Sequence, residues 1–312
     1  MRNAHNASVT LTNWQTFIAV CRLGSLSAAA VELGYTQSAI SRQIAALEHD
    51  AGVPLLDRHA RGVAPTAAGE AFRRHALVVI NEAERAVRAA LQARDGAPAR
   101  PLVVGATPSL AAGVVPAAMR RFLDEVGATP WSLASGLTAD LSERVATGEL
   151  DVAAVTDAPP GLPDDPRVRR LPLGRDEMWV LVPVGHPAIS RRRRSITAFA
   201  DETWVEDNDG SAAMLRQLAG RAGFDVRIDL AAADLPGKVA LVAAGHAVAL
   251  VPGALVPTLR PDVAAVRLVD PARRGLFALI PRDGGHPSVP RMLESLRATT
   301  VDYLTVTAAG KP

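Results

Sequence analysis

The sequence predicts a multi-domain α and α/β protein: an N-terminal winged helix-turn-helix, a long helix, then an α/β domain. Three observations carry this. Three short helical segments, each closed by a glycine, fill residues 11 to 52. A helix-forming stretch without proline runs from 67 to about 94. Beyond it, short β-rich apolar runs alternate with helical segments as far as residue 281.

At 312 residues the chain has room for about two domains. Hydrophobic content of 48% and charged content of 21% indicate a globular chain rather than a disordered one. A net charge of +2 does not by itself announce a nucleic-acid partner. Among the 34 basic residues, only Lys238 and Lys311 are lysines. The single cysteine, Cys21, excludes a disulfide framework and a two-cysteine redox switch, and reads as a small buried hydrophobe. The opening "MRNAHNASVTLTNW" has no apolar core of signal-peptide type, and no run of about 18 apolar residues occurs. The expectation is a cytoplasmic protein with no membrane partner.

In the first segment, Leu11, Trp14, Phe17, Ile18 and Cys21 share a helical face, and Gly24 stops the helix. Ser25 or Ser27 can cap the next helix, whose alanines allow close packing, and Gly34 ends it. Thr36 can cap a third helix, 37 to about 51, which buries Ile40, Ile44 and Leu47 and stops at Gly52. With one tight turn at "LGYT", this is a helix-turn-helix pattern. Pro54, Gly62 and Pro65 exclude a continuous helix through "VPLLDRHARGVAPT", and the apolar residues flanking "RHARG" predict a two-stranded wing. The helix 67–94 carries a stripe of Phe72, Ala76, Val79, Ile80, Ala83, Val87, Ala90 and Leu91. It should be roughly 40 Å long at 1.5 Å per residue, and such a stripe needs a partner, most simply a second copy of itself. "RDGAPARP", 94–101, reads as a linker. Strands are expected at 102–107, 151–156, 177–183, 247–252 and 276–281, with helices at about 110–126, 138–148, 211–222 and 236–245. That order predicts a largely parallel sheet, as one domain or two smaller lobes.

The third helix carries the sharpest chemistry. "TQSAISRQ" offers amides, hydroxyls and one guanidinium but no acid; Glu48 and Asp50 come only at its far end. Arg pairs with guanine O6 and N7, Gln with adenine N6 and N7, and Ser with either. Residues near a recognition helix's N-terminus do the reading, here Gln37, Ser38, Ser41 and Arg42. A solvated polar face would have a similar composition. Arg58, His59 and Arg61 around Gly62 suit a phosphate or minor-groove contact. Seven histidines are scattered, and HExxH, CxxC, GxSxG and GxxxxGK[ST] patterns are absent. No catalytic residue, metal or cofactor is expected.

The stretch "FIAVCRLGSLSAAAVELGYTQSAISRQIAALEHDAGVPLLDRHARGVAPTAAGEAF" resembles the N-terminal domain of LysR-type transcriptional regulators. The match runs through Phe17, Val20, Gly24–Ser25, Ala29–Ala30, Leu33, Gln37–Ser38, Ser41 to Ile44, Leu47–Glu48, Gly52, Leu55, Arg58, Thr66, Ala68 and Gly69. Leu56 and Pro65 depart from the family pattern, where an aromatic and a leucine are common. "GVVPAAMRRF", "LTADLSERVATGELDVAAV", "VLVPVGHPAI" and "ALVAAGHAVALVPGALV" extend the likeness across the chain. The resemblance implies a DNA-binding domain at 9–66, a linker and dimerisation helix at 67–94, and an effector-binding domain at 101–304. The last would resemble periplasmic binding proteins: two α/β lobes, lobe one about 101–160 and 268–304, lobe two about 165–264. Crossovers would lie near "PPGLPDD" and "DVAAVR".

The resemblance further implies a sequence-specific DNA-binding transcriptional regulator modulated by a small molecule in the cleft. One rival is a constitutive regulator with a vestigial α/β domain; the other is an enzyme or transport-type binding protein that has acquired a DNA-binding head, against which the absent nucleophile, metal and cofactor motifs and signal-peptide core count. The DNA-binding set is Ser25, Thr36, Gln37, Ser38, Ser41, Arg42, Gln43, Arg58 and Arg61. The effector set is Thr107 and Ser109 at the first strand-to-helix junction, Thr138 at the next helix start, and Asn208 and Ser211 from the second lobe. Ligands in such sheets sit beyond the carboxyl ends of strands, where helix N-termini favour a carboxylate; plain helix capping is the alternative for each residue. Glu206, Asp207 and Asp209 give the second rim an acidic look, which suits an amine unless they face solvent. The arginine run 191–194 reads as an exposed loop. Implied partners are double-stranded DNA with an interrupted palindrome, the effector, further copies in a homodimer or homotetramer, and RNA polymerase.

Overall fold

The computed structural model describes residues 10–59, 62–95, 100–190, 192–283 and 285–309. They fall into two compact units, divided between Pro98 and Ala99.

The first unit holds α1 (Leu11–Leu23), α2 (Leu26–Leu33), α3 (Gln37–Ala51), β1 (Leu56–His59), β2 (Gly62–Pro65) and α4 (Ala67–Asp95). Gly24, Gly34 and Gly52 close the three short helices in the left-handed region, where glycine carries no Cβ penalty. Ser25 and Thr36 accept from the amides of Ala28 and Ala39 and so start α2 and α3. Phe17, Val20, Ala29, Ile40, Ile44 and Leu47 form the core. Phe72 joins α4 to it, meeting Trp14 and Phe17 edge-on at 4.9 and 5.4 Å. Glu48 spends one carboxylate oxygen on the amides of Leu55 and Leu56, at 2.8 and 3.0 Å, which ties the end of α3 to the wing. The wing pairs Leu56 with Pro65 through His59 with Gly62. Gly69 packs so tightly that a Cβ there would lie 2.0 Å from the Leu55 carbonyl oxygen.

The stripe on α4 divides. Ala76 and Ile80 are buried in the first unit, while Val79, Val87 and Leu91 are exposed.

The second unit holds β3 (Leu102–Ala106), α5 (Pro108–Ala111), α6 (Val114–Val126), β4 (Trp131–Ser135), α7 (Thr138–Ala146), β5 (Val152–Thr156), β6 (Val168–Pro183), β7 (Arg193–Arg194) and β8 (Trp204–Glu206). It continues with α8 (Asp209–Arg221), β9 (Ile228–Ala231), α9 (Leu235–Ala243), β10 (Ala249–Pro252), β11 (Val263–Leu268), β12 (Arg273–Pro281) and α10 (Val289–Ala309). The large sheet has the order β4-β3-β5-β12-β6-β11-β7, with β10 also on β6, and β8 pairs with β9 apart from it. Strand β6 is the spine. Residues 168–177 pair with β12, and residues 178–183 pair with β10 and β11. One apolar cluster gathers around Met119, Phe122 and Met292, another around Phe199, Trp204 and Leu215. Arg100, the first described residue after the linker, pairs with buried Asp151, and its carbonyl accepts from His286 Nε2 at 3.0 Å.

Four expectations change. The sheet is mixed rather than largely parallel: β3 runs parallel to β4 and β5, but every pairing of β6 and β12 is antiparallel. The lobes exchange chain within β6 and again at 269–272, not near 159–165 and 262–267. "VRRLPLGRDE" has no apolar run, and only its pairing with β12 makes it a strand. The helix expected at 110–126 is interrupted at Gly113, where a Cβ would stand 3.0 Å from Thr258 and 3.1 Å from Tyr303. In the arginine run, Arg193 and Arg194 form β7, and Arg194 donates to the carbonyls of Pro187 and Ala188; Arg191 lies outside the described residues. Among the described residues no helix is long and apolar enough to cross a membrane.

Two substitutions test the first unit. Glu48→Ala leaves two amides without their acceptor and should lower the stability of the full chain's first unfolding step by about 1–3 kcal/mol. Gly69→Ala should lower it by a similar ~1–3 kcal/mol through overpacking. Urea unfolding followed by fluorescence reads both; an unchanged midpoint would contradict the assigned contacts.

Candidate DNA interface and effector cleft

Ile40, Ile44 and Leu47 bury one side of α3, so positions 37, 38, 41 and 42 turn to the other. Gln37, Ser38 and Arg42 are exposed and Ser41 is half-buried. Arg58 of the wing lies beside them, its Nη2 donating to Ser41 Oγ at 3.5 Å. Thr36 caps the helix and its Oγ1 stands 3.0 Å from Ser38 Oγ. The nearest acid on α3, Glu48, is engaged by the wing amides. This surface therefore offers hydroxyl, amide and guanidinium groups without a carboxylate to repel phosphate. Tyr35, absent from the sequence-predicted set, is exposed just before it.

Two predicted residues do something else in the fold. Gln43 faces α1, where its Oε1 accepts from Thr16 Oγ1 at 2.7 Å. Ser25 caps α2. Arg61 lies outside the described residues.

In the second unit a cleft of about 750 Å³ opens between the lobes, and all five predicted effector residues line it. Thr107, only 6% exposed, has no hydrogen-bond partner for its hydroxyl among the described residues. Ser109 Oγ accepts from Arg274 Nη2 at 3.0 Å. Thr138 Oγ1 donates to the Thr156 carbonyl at 3.0 Å, and no side chain caps the start of α7. Asn208 caps α8 by accepting from the Ser211 amide at 2.9 Å. The start of α8 lies against the 158–160 loop, where a Cβ on Gly210 would come within 2.1 Å of the Pro159 carbonyl oxygen.

Two cations outside the sequence-predicted set sit in the cleft wall. Lys238 is 2% exposed, and its ammonium donates to Glu206, to Asp207 Oδ1 at 3.1 Å and to Ser211 Oγ at 3.2 Å. Arg274 is held by Asp176, with Nη2 to Oδ2 at 3.1 Å. Burial pushes the Glu206 carboxyl above its ordinary value, against the pull of Lys238. Burial likewise raises Asp176, with Arg274 opposing. The acidic rim expected at 206–209 is therefore corrected: Glu206 and Asp207 are bound to Lys238, and only Asp209 is exposed. A lysine alone in the apolar helix "LPGKVALVA", within an arginine-rich chain, was the available signal. For Arg274 the sequence carries none.

Two family models match the chain. "Bacterial regulatory helix-turn-helix protein, lysR family" covers residues 11–70, and "LysR substrate binding domain" covers 95–300. The chain belongs to the LysR family. This LysR-family protein is a DNA-binding transcriptional regulator with an effector-binding domain. It is 30% identical over 256 residues to the "Probable hydrogen peroxide-inducible genes activator" of Mycobacterium avium, covering 80% of this chain and 79% of that one. It is 32% identical over 256 residues to the small neutral protease regulatory protein of Streptomyces coelicolor, covering 80% and 75%. Among solved structures, CbnR, a LysR family transcriptional regulator, superposes with a TM-score of 0.67 at 25% identity, covering 94% of this chain and 99% of that one. Full-length CbnR complexed with its target DNA gives 0.65 at 25% identity, covering 93% and 100%. Among the described residues no group of three or more His, Cys, Asp or Glu is placed to hold a metal.

The buried triad makes a pH-dependent prediction for this LysR-family chain. Lys238→Met strands Glu206 and should destabilise the second unit by ~3–5 kcal/mol. A carboxyl raised in the folded state contributes stability that is present at low pH and lost as pH rises through its folded value. The deficit should therefore grow as pH rises through the parent's raised Glu206 value, where the parent carboxylate ionises beside Lys238 and the variant's does not. Thermal unfolding across pH checks this, and a pH-independent deficit would contradict it.

Proposed function

We propose that the regulator reads DNA through Gln37, Ser38, Ser41 and Arg42, steadied by Thr36 and Arg58, and that its cleft takes a small monocarboxylate with an apolar body. The observation that carries the ligand class is that both cleft cations are already committed. Lys238 spends all three donors on protein, and Arg274 is held by Asp176 and Ser109. Beside the Nη1 of Arg274, what is left for an anion is the unpartnered Thr107 hydroxyl and the uncapped start of α7 at Thr138. The positive end of a helix dipole favours one negative group there. Much of the remaining wall is apolar, including Leu137, Met178, Met214, Leu235 and Leu250. Ser109, Asn208 and Ser211 then hold the recognising backbone in place and touch the ligand's edge.

The peroxide response named for the Mycobacterium relative is a poorer reading of this chain. Its single cysteine, Cys21, has its thiol pushed up by burial to about 12, which leaves almost no thiolate at neutral pH.

The exposed apolar residues of α4, Val79, Val87 and Leu91, fit a dimer seam with a second copy. Two recognition helices would then enter successive major grooves of an interrupted palindrome. Assembly into a homotetramer and contact with RNA polymerase complete the reading, in the cytoplasm where the DNA lies. An effector regulates by binding one arrangement of the lobes better than the other.

Binding to duplexes selected from a randomised pool tests the DNA assignment. Arg42→Ala should cost about 1–3 kcal/mol on the selected site and relax its sequence preference, whereas Arg58→Ala should weaken all duplexes alike and flatten the salt dependence. Equal weakening on every duplex by Arg42→Ala would make that residue a phosphate contact and overturn the base-reading role. Sedimentation tests the seam: Val87→Asp with Leu91→Asp should give monomers where the parent chain dimerises.

A further inference from the structure

A second groove, of about 430 Å³, lies along β6 where the chain passes between the lobes, lined by Arg175, Asp176, Glu177 and Trp179 among others. Arg175, Glu177 and Trp179 point to one face of β6. Between them Asp176 holds Arg274, and Met178 lines the cleft. Across the ladders, Arg273 stands opposite Glu177 and Arg267 opposite Trp179. Three guanidiniums thus converge where both connections between the lobes pass.

The site is organised before any ligand arrives. The Arg267 guanidinium lies 5.1 Å over the Trp179 ring and donates to Glu177 at 3.2 Å, with its side chain 12% exposed. Arg273 donates to the other Glu177 oxygen through Nη2 at 3.0 Å. Burial pushes the Glu177 carboxyl up, but the hydrogen bonds from Arg273 and Arg267 outweigh it and hold it below its ordinary value. Glu177 is therefore ionised and offsets one cation. The guanidinium of Arg175, at the groove, makes no hydrogen bond or ion pair among the described residues.

We propose that this groove is a second small-molecule site, which binds the phosphate group of a phosphomonoester. Two carboxylates line the groove, Glu177 and Asp176, but Asp176 is already paired with Arg274, so the three arginines keep a charge surplus that a phosphate dianion matches, and guanidinium forks suit phosphate oxygens. The Trp179 face is already covered by Arg267, so the groove recognises the phosphate and offers no ring for a base to stack on. A ligand here touches β6 and the β11–β12 connection together. It would bias the arrangement of the lobes without entering the cleft, so the site is independent of the carboxylate reading.

The test uses the full chain with inorganic phosphate as probe, at constant ionic strength set by sodium chloride, read as a thermal shift. The parent chain should show a saturable rise. Arg175→Gln with Arg273→Gln should weaken the apparent affinity by about tenfold or more. Thr107→Val in the cleft and Arg42→Ala on the DNA face should keep the response. Absence of a saturable rise, an unchanged response in the double variant, or loss in Arg42→Ala or Thr107→Val instead would each overturn the proposal. If circular dichroism shows the double variant unfolded, Arg175→Gln alone decides by the same criterion.

Discussion

The second unit is organised around one buried ion pair, Asp176 with Arg274, where β6 and β12 pass from one lobe to the other. The two residues face each other in the strand register, and Asp176 also accepts from the Ala254 amide while Arg274 reaches Ser109. A Cβ on Gly253 would come within 3.0 Å of the Asp176 carboxylate and 2.9 Å of Trp179 Nε1, so the chain closes on the pair. A buried pair of this kind is weak evidence for stability, but losing one partner leaves a stranded charge. Its consequence is geometric. Residues 174–179 are held in one register, in which Met178 lines the cleft while Arg175, Asp176, Glu177 and Trp179 line the arginine groove.

The same economy governs the cleft. Lys238 is buried because Glu206, Asp207 and Ser211 satisfy its three protons, and that arrangement engages two of the three acids at 206–209, leaving Asp209 on the cleft lining. Apart from Asp209, the charges of the cleft are internally matched ions among apolar walls. In the first unit Glu48 plays a comparable part: by accepting from the wing amides it takes the acid on α3 nearest the exposed surface out of play.

The parts legible in the sequence were those set by local interactions. Glycines at 24, 34 and 52, caps at Ser25 and Thr36 and the Ile40, Ile44, Leu47 stripe all act within a few residues, and each stands in the structure as the pattern implies. The junctions at Thr107, Thr138 and Asn208 were legible because strand-to-helix turns converge at the carboxyl ends of strands. What was hidden depends on distant partners. Strand 168–176 has a loop-like composition and exists through β12; Lys238 meets Glu206 32 residues away, and Arg274 meets Asp176 98 residues away. Gln43 was read as one of a polar run, but helical geometry turns it from Gln37 and Arg42 toward α1.

Selection of a single carboxylate on an apolar body is the property that the proposed reading gives the cleft. Calorimetric titration of the full chain with a panel of aliphatic and aromatic monocarboxylates, each beside its primary amide and amine, measures it. Saturable binding is expected for at least one carboxylate and for none of its amides or amines, and Thr107→Val should weaken it. Binding of the amines, or an affinity that Thr107→Val leaves unchanged, would contradict this selectivity. Silence across the whole panel would favour a constitutive regulator whose α/β domain has lost its ligand.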